Sequence, residues 1–521
     1  MPLIQTTSAA EEIRRLFQEN QNIEKDKFPG LVTQHFQNKY ASEDAFSQIP
    51  VLGLDNVPES FEDGALVVFY GMIQDTSLSS ELYIAKGSSD EIGGWGLPDL
   101  QDNSNFQPDD LLECSVFWVV SIPGLSSWST RRSSISKPDT QSPLPYKYPA
   151  TNVAHVGVQL KVYDESLASP LRATDVHAFV GILNSESFHF NQDSEDVPSV
   201  PTLHVLFKNP LQRTIIPRSF PEASLKSSIQ TVRKDLIQWI ACEALDGDVI
   251  VAELILLTLL TKVQSRKPPI LPLSLTISGF PPPANISAIP TLQHVLGLIF
   301  PMVSTIQLSL DTLNTTPFCP ESKDEDLHSG WLQLPVGSIV ILNEGAVTEG
   351  TVSNRGVSNI RVVQEAMQSQ TLEYVFPFSN YRFETDINFV VLTESKNSTF
   401  FETNFNVPFD QKNTAAEVRE ILYKSADQIS LPPDAKLDSF RRLVGAACVG
   451  KVAVGEDIGK YVEQDFITER AAGQFTADDL VRRMSIAKMV ALSFHDTELS
   501  IVHWKHIKEL ERKIKEKQHL L

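Results

Sequence analysis

The chain has 521 residues, 42% of them hydrophobic, which is apolar material for about three or four packed domains. Its 44 Lys and Arg face 65 Asp and Glu, a formal charge of −21. That balance excludes a large DNA-binding face, because counterion release needs clustered cations, but not a protein that binds DNA-binding proteins. The four cysteines, Cys114, Cys242, Cys319 and Cys448, lie far apart without a CxxC. They indicate neither a zinc ribbon nor a redox pair, but isolated reduced thiols. The N-terminus lacks an apolar signal core, and the longest apolar run, Val249 to Leu260, is short of a membrane span and contains Glu253. A soluble, intracellular protein is expected, with no membrane partner.

In chain order, residues 9–40 spell one or two short helices, a preface within an N-terminal helical segment, 1–60. From Ala65 the texture changes to strands. Leu66 to Ile73 and Glu81 to Ala85 flank a polar turn and predict a hairpin. Further strands are predicted at 113–121, 156–162 and 175–183. Five short strands with a long insertion predict a small Greek-key barrel of the OB type over 61–188. The insertion near 122–151 is rich in Ser and Pro and reads as a disordered loop. An acidic, Pro-bearing stretch suggests a linker over 189–224.

Helical spacing then runs through Leu225, Ile229, Val232, Leu236 and Ile240, and a second helix, apolar nearly all round, follows Asp248. Strand 271–279, helix 290–300, a strand around 306–310, helix 358–368 and strands 372–378 and 386–393 come next. The alternation predicts an α/β domain with a largely parallel sheet over 225–405. At its centre Trp331 to Glu344, WLQLPVGSIVILNE, reads as one buried strand. Helices at 414–427, 435–449, 456–470, 477–493 and 500–517 make a C-terminal helical domain, 406–521. Thr476 and Asp479 resemble a capping box, and Glu509–Lys513 and Glu511–Lys515 stand at i,i+4.

The strand ending in Asn343-Glu344 has the form of the second half of a nucleotide-hydrolysis site, where an Asp would hold Mg²⁺. An amide offers only a carbonyl dipole to that cation, so the site is disarmed. The phosphate loop should precede it at Ser274 to Ile286, which has one Gly, three prolines and no Lys. Prolines remove the N–H groups that cradle phosphate. Gly445 to Lys451 has GxxxxGK spacing, but Val452 follows where Ser or Thr is needed, and the segment lies among helices. Small residues at a tight helix contact are the plainer reading. A divergent ATPase would use Gly450, Lys451 and Glu344.

Gly93-Gly94-Trp95-Gly96 lacks the third spaced Gly of a dinucleotide fingerprint and reads as a loop. His503 and His506 have no Cys or carboxylate pair nearby, so no metal site is expected. No GxSxG or HExxH occurs. The acidic run Glu321 to Asp326 reads as a solvated loop. On the last helix Trp504, Ile507, Leu510 and Ile514 form a stripe, which packs at home or on a partner; home is the simpler reading. A third class, an OB-type single-strand binder, lacks a basic-aromatic strand face.

An OB-like barrel, an AAA-like α/β unit without a working nucleotide site and a helical lid-like domain are the layout of a minichromosome maintenance (MCM) helicase subunit stripped of catalysis. Specific stretches resemble the MCM-binding protein family: Leu66 to Asp75, Pro201 to Leu206 (PTLHVL), Leu245 to Leu260, Leu273 to Gly279 and Gly330 to Glu344. The ordered set continues with Asp386 to Glu394, Glu463 to Arg470 and Thr476 to Leu480. Family members end the 331–342 strand in Asp-Glu, whereas this chain has Asn343-Glu344. The resemblance implies a nuclear, non-enzymatic partner of MCM helicase subunits, acting in assembly or unloading of MCM complexes, S-phase progression and cohesion. It implies no cofactor, no small-molecule substrate and only indirect contact with DNA or chromatin.

Overall fold

The computed structural model describes residues 8–86, 92–97, 108–129, 142–150, 153–188, 199–210, 219–324, 326–471, 473 and 475–520. The fold is mixed α/β with several sheets. Helices α1 (Ala9–Glu19) and α2 (Phe28–Lys39) come first, then the short α3 (Glu43–Ser47). Ser8 and Glu11 close α1 with a reciprocal capping box. Ile13, Leu16, Phe28 and Phe36 pack these helices against Val68, Val180 and Ile182 of the sheet that follows.

That sheet comprises β1 (Val51–Leu52), β2 (Ala65–Asp75), β3 (Glu81–Ile84), β4 (Leu111–Ser121), β5 (Gly157–Val162), β6 (Val176–Ser187) and β7 (Ser199–Pro210), with the one-turn α4 (Glu165–Ala168) between β5 and β6. The order is β1-β2-β6-β7-β5-β4-β3. Because β2 also pairs with β4, the strands β2, β6, β7, β5 and β4 close into a ring. Only β5–β7 is parallel within it. Strand alternation sends Val67, Phe69 and Ile73 into one cluster with Val119, Leu160, Phe179 and Leu203, and Val68 into the opposite one. The β6–β7 register shifts between Val180 and Gly181, leaving Leu206 as an extra residue that bulges β7, and a Cβ on Gly181 would collide with the His204 carbonyl.

Two expectations fail here. The strands at 66–73 and 81–85 form no hairpin: both lie on β4, β3 against Leu111–Cys114 and β2 against Trp118–Ser121. Asp75 takes the Ser77 N–H at 2.8 Å and its hydroxyl at 2.6 Å, an Asx turn that leads the chain away from β2. Nor is 189–224 a plain linker, since β7 supplies the fifth strand of the ring. Its prolines at Pro201 and Pro210 read as breakers, but both lie near strand ends.

The second part begins with α5 (Ile229–Ala244) and α6 (Val249–Leu259). A small ribbon of β8 (Ser265–Arg266) and β9 (Pro269–Ile270) precedes β10 (Leu275–Ser278), α7 (Thr291–Gly297), β11 (Val303–Gln307) and α8 (Leu310–Thr315). Then come β12 (Glu321–Lys323), β13 (Asp326–His328), β14 (Ser338–Asn343), α9 (Asn354–Ser369), β15 (Thr371–Phe376), β16 (Ser379–Glu384), β17 (Ile387–Leu392) and β18 (Phe405–Pro408). The main sheet is wholly parallel, in the order β11-β14-β17-β10-β18. A second sheet, β13-β12-β15-β16, flanks it.

The organising strand is shorter than its sequence suggests. Only Ser338–Asn343 pairs, every residue buried between β11 and β17. Gly337 at φ 87° breaks the run, and Leu332, Gln333 and Leu334 are buried in irregular backbone. Beyond the predicted strand 386–393 a further strand, β18, joins the sheet. The acidic run Glu321 to Asp326 is no solvated loop: it holds parts of the β12–β13 pair, and Asp326 is buried.

The expected disordered insertion near 122–151 is in part a strap across the second body. Ser126 donates its N–H to the Pro301 carbonyl (2.8 Å), and Trp128 Nε1 donates to the Gly297 carbonyl (2.7 Å) beneath the Arg441 guanidinium. Residues 130–141 and 151 lie outside the described residues.

Helices α10 (Ala415–Leu422), α11 (Asp434–Val449), α12 (Glu456–Ala471), α13 (Ala477–Ser493) and α14 (Ile501–Leu520) complete the chain. Thr476 and Asp479 do form a capping box. Glu511 pairs with Arg483 (2.7 Å) on α13, not with Lys515. The largest hydrophobic cluster joins α5, α6, α11, α13 and α14 to one face of the parallel sheet. Within it Glu253 binds Arg233 Nη2 (2.5 Å) and His506 Nε2 (2.7 Å), tying α6 to α5 and α14. Burial alone would raise this carboxyl, but the two partners outweigh it and hold it at about 2.

Candidate functional site

Open parallel sheets bind ligands at the carboxyl ends of strands where the strand order reverses. Here that place is the end of β10, whose neighbours are β17 and β18. Protein groups fill it. The Gly279 N–H goes to the Ser395 carbonyl (3.3 Å) and the Phe280 N–H to the Thr393 carbonyl (2.8 Å). Pro281, Pro282 and Pro283 then offer no N–H at all. Phe280 is buried against Phe409 and Tyr423, and the Tyr423 hydroxyl donates to the Pro281 carbonyl (2.9 Å).

The end of β14 faces the same prolines. A Cβ on Gly345 would meet Pro283 Cδ at 2.9 Å. Asn343 is buried and its Oδ1 accepts the Gly345 N–H (3.1 Å), so the side chain caps the strand end. The Glu344 carboxylate is also committed, accepting the Ser398 hydroxyl at 2.5 Å and the Thr399 N–H at 3.0 Å. These residues hold a loop. They present neither a ring of free N–H donors nor a lysine to a phosphate.

Gly450 and Lys451 are elsewhere. Gly445 lies inside α11, Gly450 caps its end, and Lys451 is exposed. A Cβ on Gly450 would meet Leu492 Cδ2 at 2.6 Å and Phe220 Cδ2 at 2.8 Å. The spacing therefore serves a close helix approach, with a helix before the glycine instead of a strand. Glu344 and Lys451 are not brought together by any contact.

Trp504, Ile507, Leu510 and Ile514 are buried in the chain's own largest cluster. Trp504 Nε1 donates to Asp465 Oδ2 (2.8 Å) on α12. His503 lies 3.0 Å from Asp496, and His506 is held by Glu253. Among the described residues no group of three or more His, Cys, Asp and Glu is placed to hold a metal, and no helix is long and apolar enough to cross a membrane.

Two polar constellations escaped the sequence reading. The first joins the ring to the second body. Lys147, fully buried, donates to Asp75 Oδ2 (3.0 Å), to Asp326 Oδ1 and to the Leu327 carbonyl (3.3 Å). Tyr146 donates to Asp326 Oδ2 (2.7 Å), and Gln74 and Gln333 exchange bonds beside it, Gln333 Nε2 to the Gln74 carbonyl at 2.7 Å. The second is a charged row running from the edge strand β3 onto the ring: Glu81, Lys161, Glu186, His204 and Tyr163. Their members are scattered along the chain; the only local hint was the polar ending Gln74-Asp75 on an apolar strand.

A closed strand ring, a parallel α/β sheet with its ligand edge filled by protein side chains, and a helical bundle define a multi-part α/β protein. A family model described as "Mini-chromosome maintenance replisome factor" matches residues 36–147 and 131–518. The chain belongs to that family. A relative from Arabidopsis thaliana, described as "Mini-chromosome maintenance complex-binding protein", is 24% identical over 570 residues, 92% of each chain. Relatives of the same description from Salmo salar (29% identical, 63% of this chain and 54% of that one) and Homo sapiens (25%, 60% and 50%) match over a shorter span. Against those two the aligned part is about half of the relative's length.

Proposed function

We propose that this chain is a non-catalytic binding partner of MCM helicase subunits, acting in DNA replication in the nucleus. The observation that carries the reading is the family match through 131–518, which includes the edge where Pro281 to Pro283, Asn343 and Glu344 leave no bed for a nucleotide. The names of the relatives supply the partner class.

The ring β2-β4-β5-β7-β6, with its one parallel pair, supports an OB-like reading of the first body. In the second, β10, the strand before the proline loop, is separated from β14 by β17, and β11 lies outside β14. That order supports an AAA-like reading, with the bundle from about residue 406 as its lid. A chain with both kinds of face competes for a helicase protomer's edge and shifts the equilibrium between closed complexes and free subunits by mass action. Assembly or unloading of MCM complexes, with S-phase progression and cohesion downstream, follows from that competition. DNA is contacted only through the partner.

The test is size-exclusion chromatography of the purified protein mixed with individual MCM subunits at near-physiological salt, with and without ATP. Co-elution independent of ATP is expected. No co-elution, together with retained nucleotide, overturns the reading in favour of the ATPase alternative.

A further inference from the structure

Among the described residues β3 is the last strand of the seven-stranded sheet and pairs only with β4. In an antiparallel ladder the N–H and C=O of one residue point to the same edge, and the edge alternates along the strand. The Ile84 carbonyl accepts the Gly93 N–H (2.9 Å), on the side away from β4. The Leu82 N–H and C=O, two residues away, therefore point to that same outer edge. Among the described residues they have no partner, and the Leu82 side chain is 64% exposed.

A cleft of about 600 Å³ opens beside this edge, between β3 and the Gly93-to-Leu97 loop. The loop wall is fixed: Gly94, Trp95 and Gly96 have φ of 83°, 48° and 70°, and Trp95 is buried between Tyr83, Tyr163 and Phe28. A charged row forms the floor. Lys161 Nζ lies 2.6 Å from both Glu81 Oε2 and Glu186 Oε2. Glu186 Oε1 lies 2.9 Å from His204 Nε2, and the Tyr163 hydroxyl meets His204 Nδ1 at 2.8 Å. Burial pushes the Tyr163 phenol well above its ordinary range, so it stays protonated. Burial would also raise Glu186, but His204 and Lys161 hold it at about 2, ionised at neutral pH. Two carboxylates then share one ammonium. The inner end of the row is buried, and the open end is Glu81, 45% exposed.

We propose that this cleft docks an extended segment of a partner protein, added as a strand to the β3 edge, with a lysine or arginine side chain reaching Glu81 and Glu186. Charge complementarity sets the occupant, because the open end of the row is the exposed Glu81 carboxylate. The free Leu82 groups set its conformation. This docking does not depend on the helicase reading.

Two ten-residue strand-prone peptides, identical except for a central Lys or Glu, are titrated into the full chain by calorimetry. The Lys peptide should bind roughly tenfold tighter than the Glu peptide, the value of one charge-assisted hydrogen bond. The preference should shrink in Glu81→Gln and at high salt. Leu82→Pro should abolish binding with an unchanged melting temperature, because the lost N–H faces outward and not into the ladder. Equal binding of both peptides, no binding of the Lys peptide at millimolar concentration, a preference undiminished in Glu81→Gln, or binding that survives Leu82→Pro overturns the proposal.

Discussion

The ammonium of Lys147 lies 3.0 Å from the carboxylate of Asp75, and neither side chain touches solvent. Asp326 completes the group from the other body, so one cation is shared by two anions at the junction. Such a group adds little net stability over an apolar substitute, because desolvating three charges offsets their attraction. What it does supply is geometry. Only one placement of the ring on the second body satisfies all three charges.

Removing the cation should therefore be severe. Lys147→Met leaves two carboxylates buried together, at an expected cost of about 3–5 kcal/mol. Adding Asp75→Asn and Asp326→Asn should recover part of that loss. Urea unfolding of the variants, followed by tryptophan fluorescence, checks both; an unchanged midpoint for Lys147→Met would contradict the arrangement.

Gly450 and Lys451 separate packing from phosphate binding. Gly450→Val forces a side chain onto Leu492 and Phe220 and should cost about 1–3 kcal/mol. Lys451→Ala, at an exposed position, should stay within about 0.5 kcal/mol of the parent. Neither protein, nor the parent, should melt higher with Mg-ATP. A nucleotide-dependent rise lost only in Lys451→Ala would instead make the glycine run a phosphate loop.

Glu253 should give the helical bundle an acid limb. Its carboxyl sits at about 2 in the fold, below the ordinary value of about 4.3. A depressed value means stability that is fully present above about 4.3 and lost as pH falls through about 2. The contribution is roughly 3 kcal/mol for a shift of this size. The stability gap between the parent and Glu253→Gln should narrow as pH falls below about 4. A gap that stays constant to pH 2 would exclude the pair with Arg233 and His506 as its source.

Trp504 is the anchor of α14, at 0% exposure with its indole N–H on Asp465. Trp504→Ala should cost about 3–5 kcal/mol through the cavity it leaves. Val502, 73% exposed on the same helix, should tolerate Asp with almost no change. Circular dichroism melts distinguish the two, and equal, small effects would mean the helix docks elsewhere.

The helices of the bundle were legible because each carries a 3.6-residue stripe and its own cap: Thr476 and Asp479 mark α13 within four residues. The strand ending in Asn343-Glu344 was legible for a similar reason, a local β-branched run, although its start was placed seven residues early. Leu332 and Leu334 look like strand alternation, and only Gly337 reveals the break. What could not be read is pairing between distant segments. β7 was hidden by its prolines, and no local rule says that Ser199–Pro210 closes a ring with β5 and β6. Lys147 lay in a stretch with the composition of a disordered loop; its burial depends on an aspartate 179 positions later. The filled ligand edge was half legible, since three prolines withhold N–H donors and an Asn withholds a carboxylate locally. Ser398 and Thr399, which occupy Glu344, carry no signal that would have placed them there.

That separation of 179 residues has a consequence for synthesis. A ribosome adding about 5–20 residues per second makes Lys147 roughly 9–36 s before Asp326 emerges. During that interval the nascent ring holds a lysine with one carboxylate to share and a junction surface without its cover. The first body reaches its final form only when the second has been translated, so a chain stalled between the two exposes this half-built seam to chaperones and proteases.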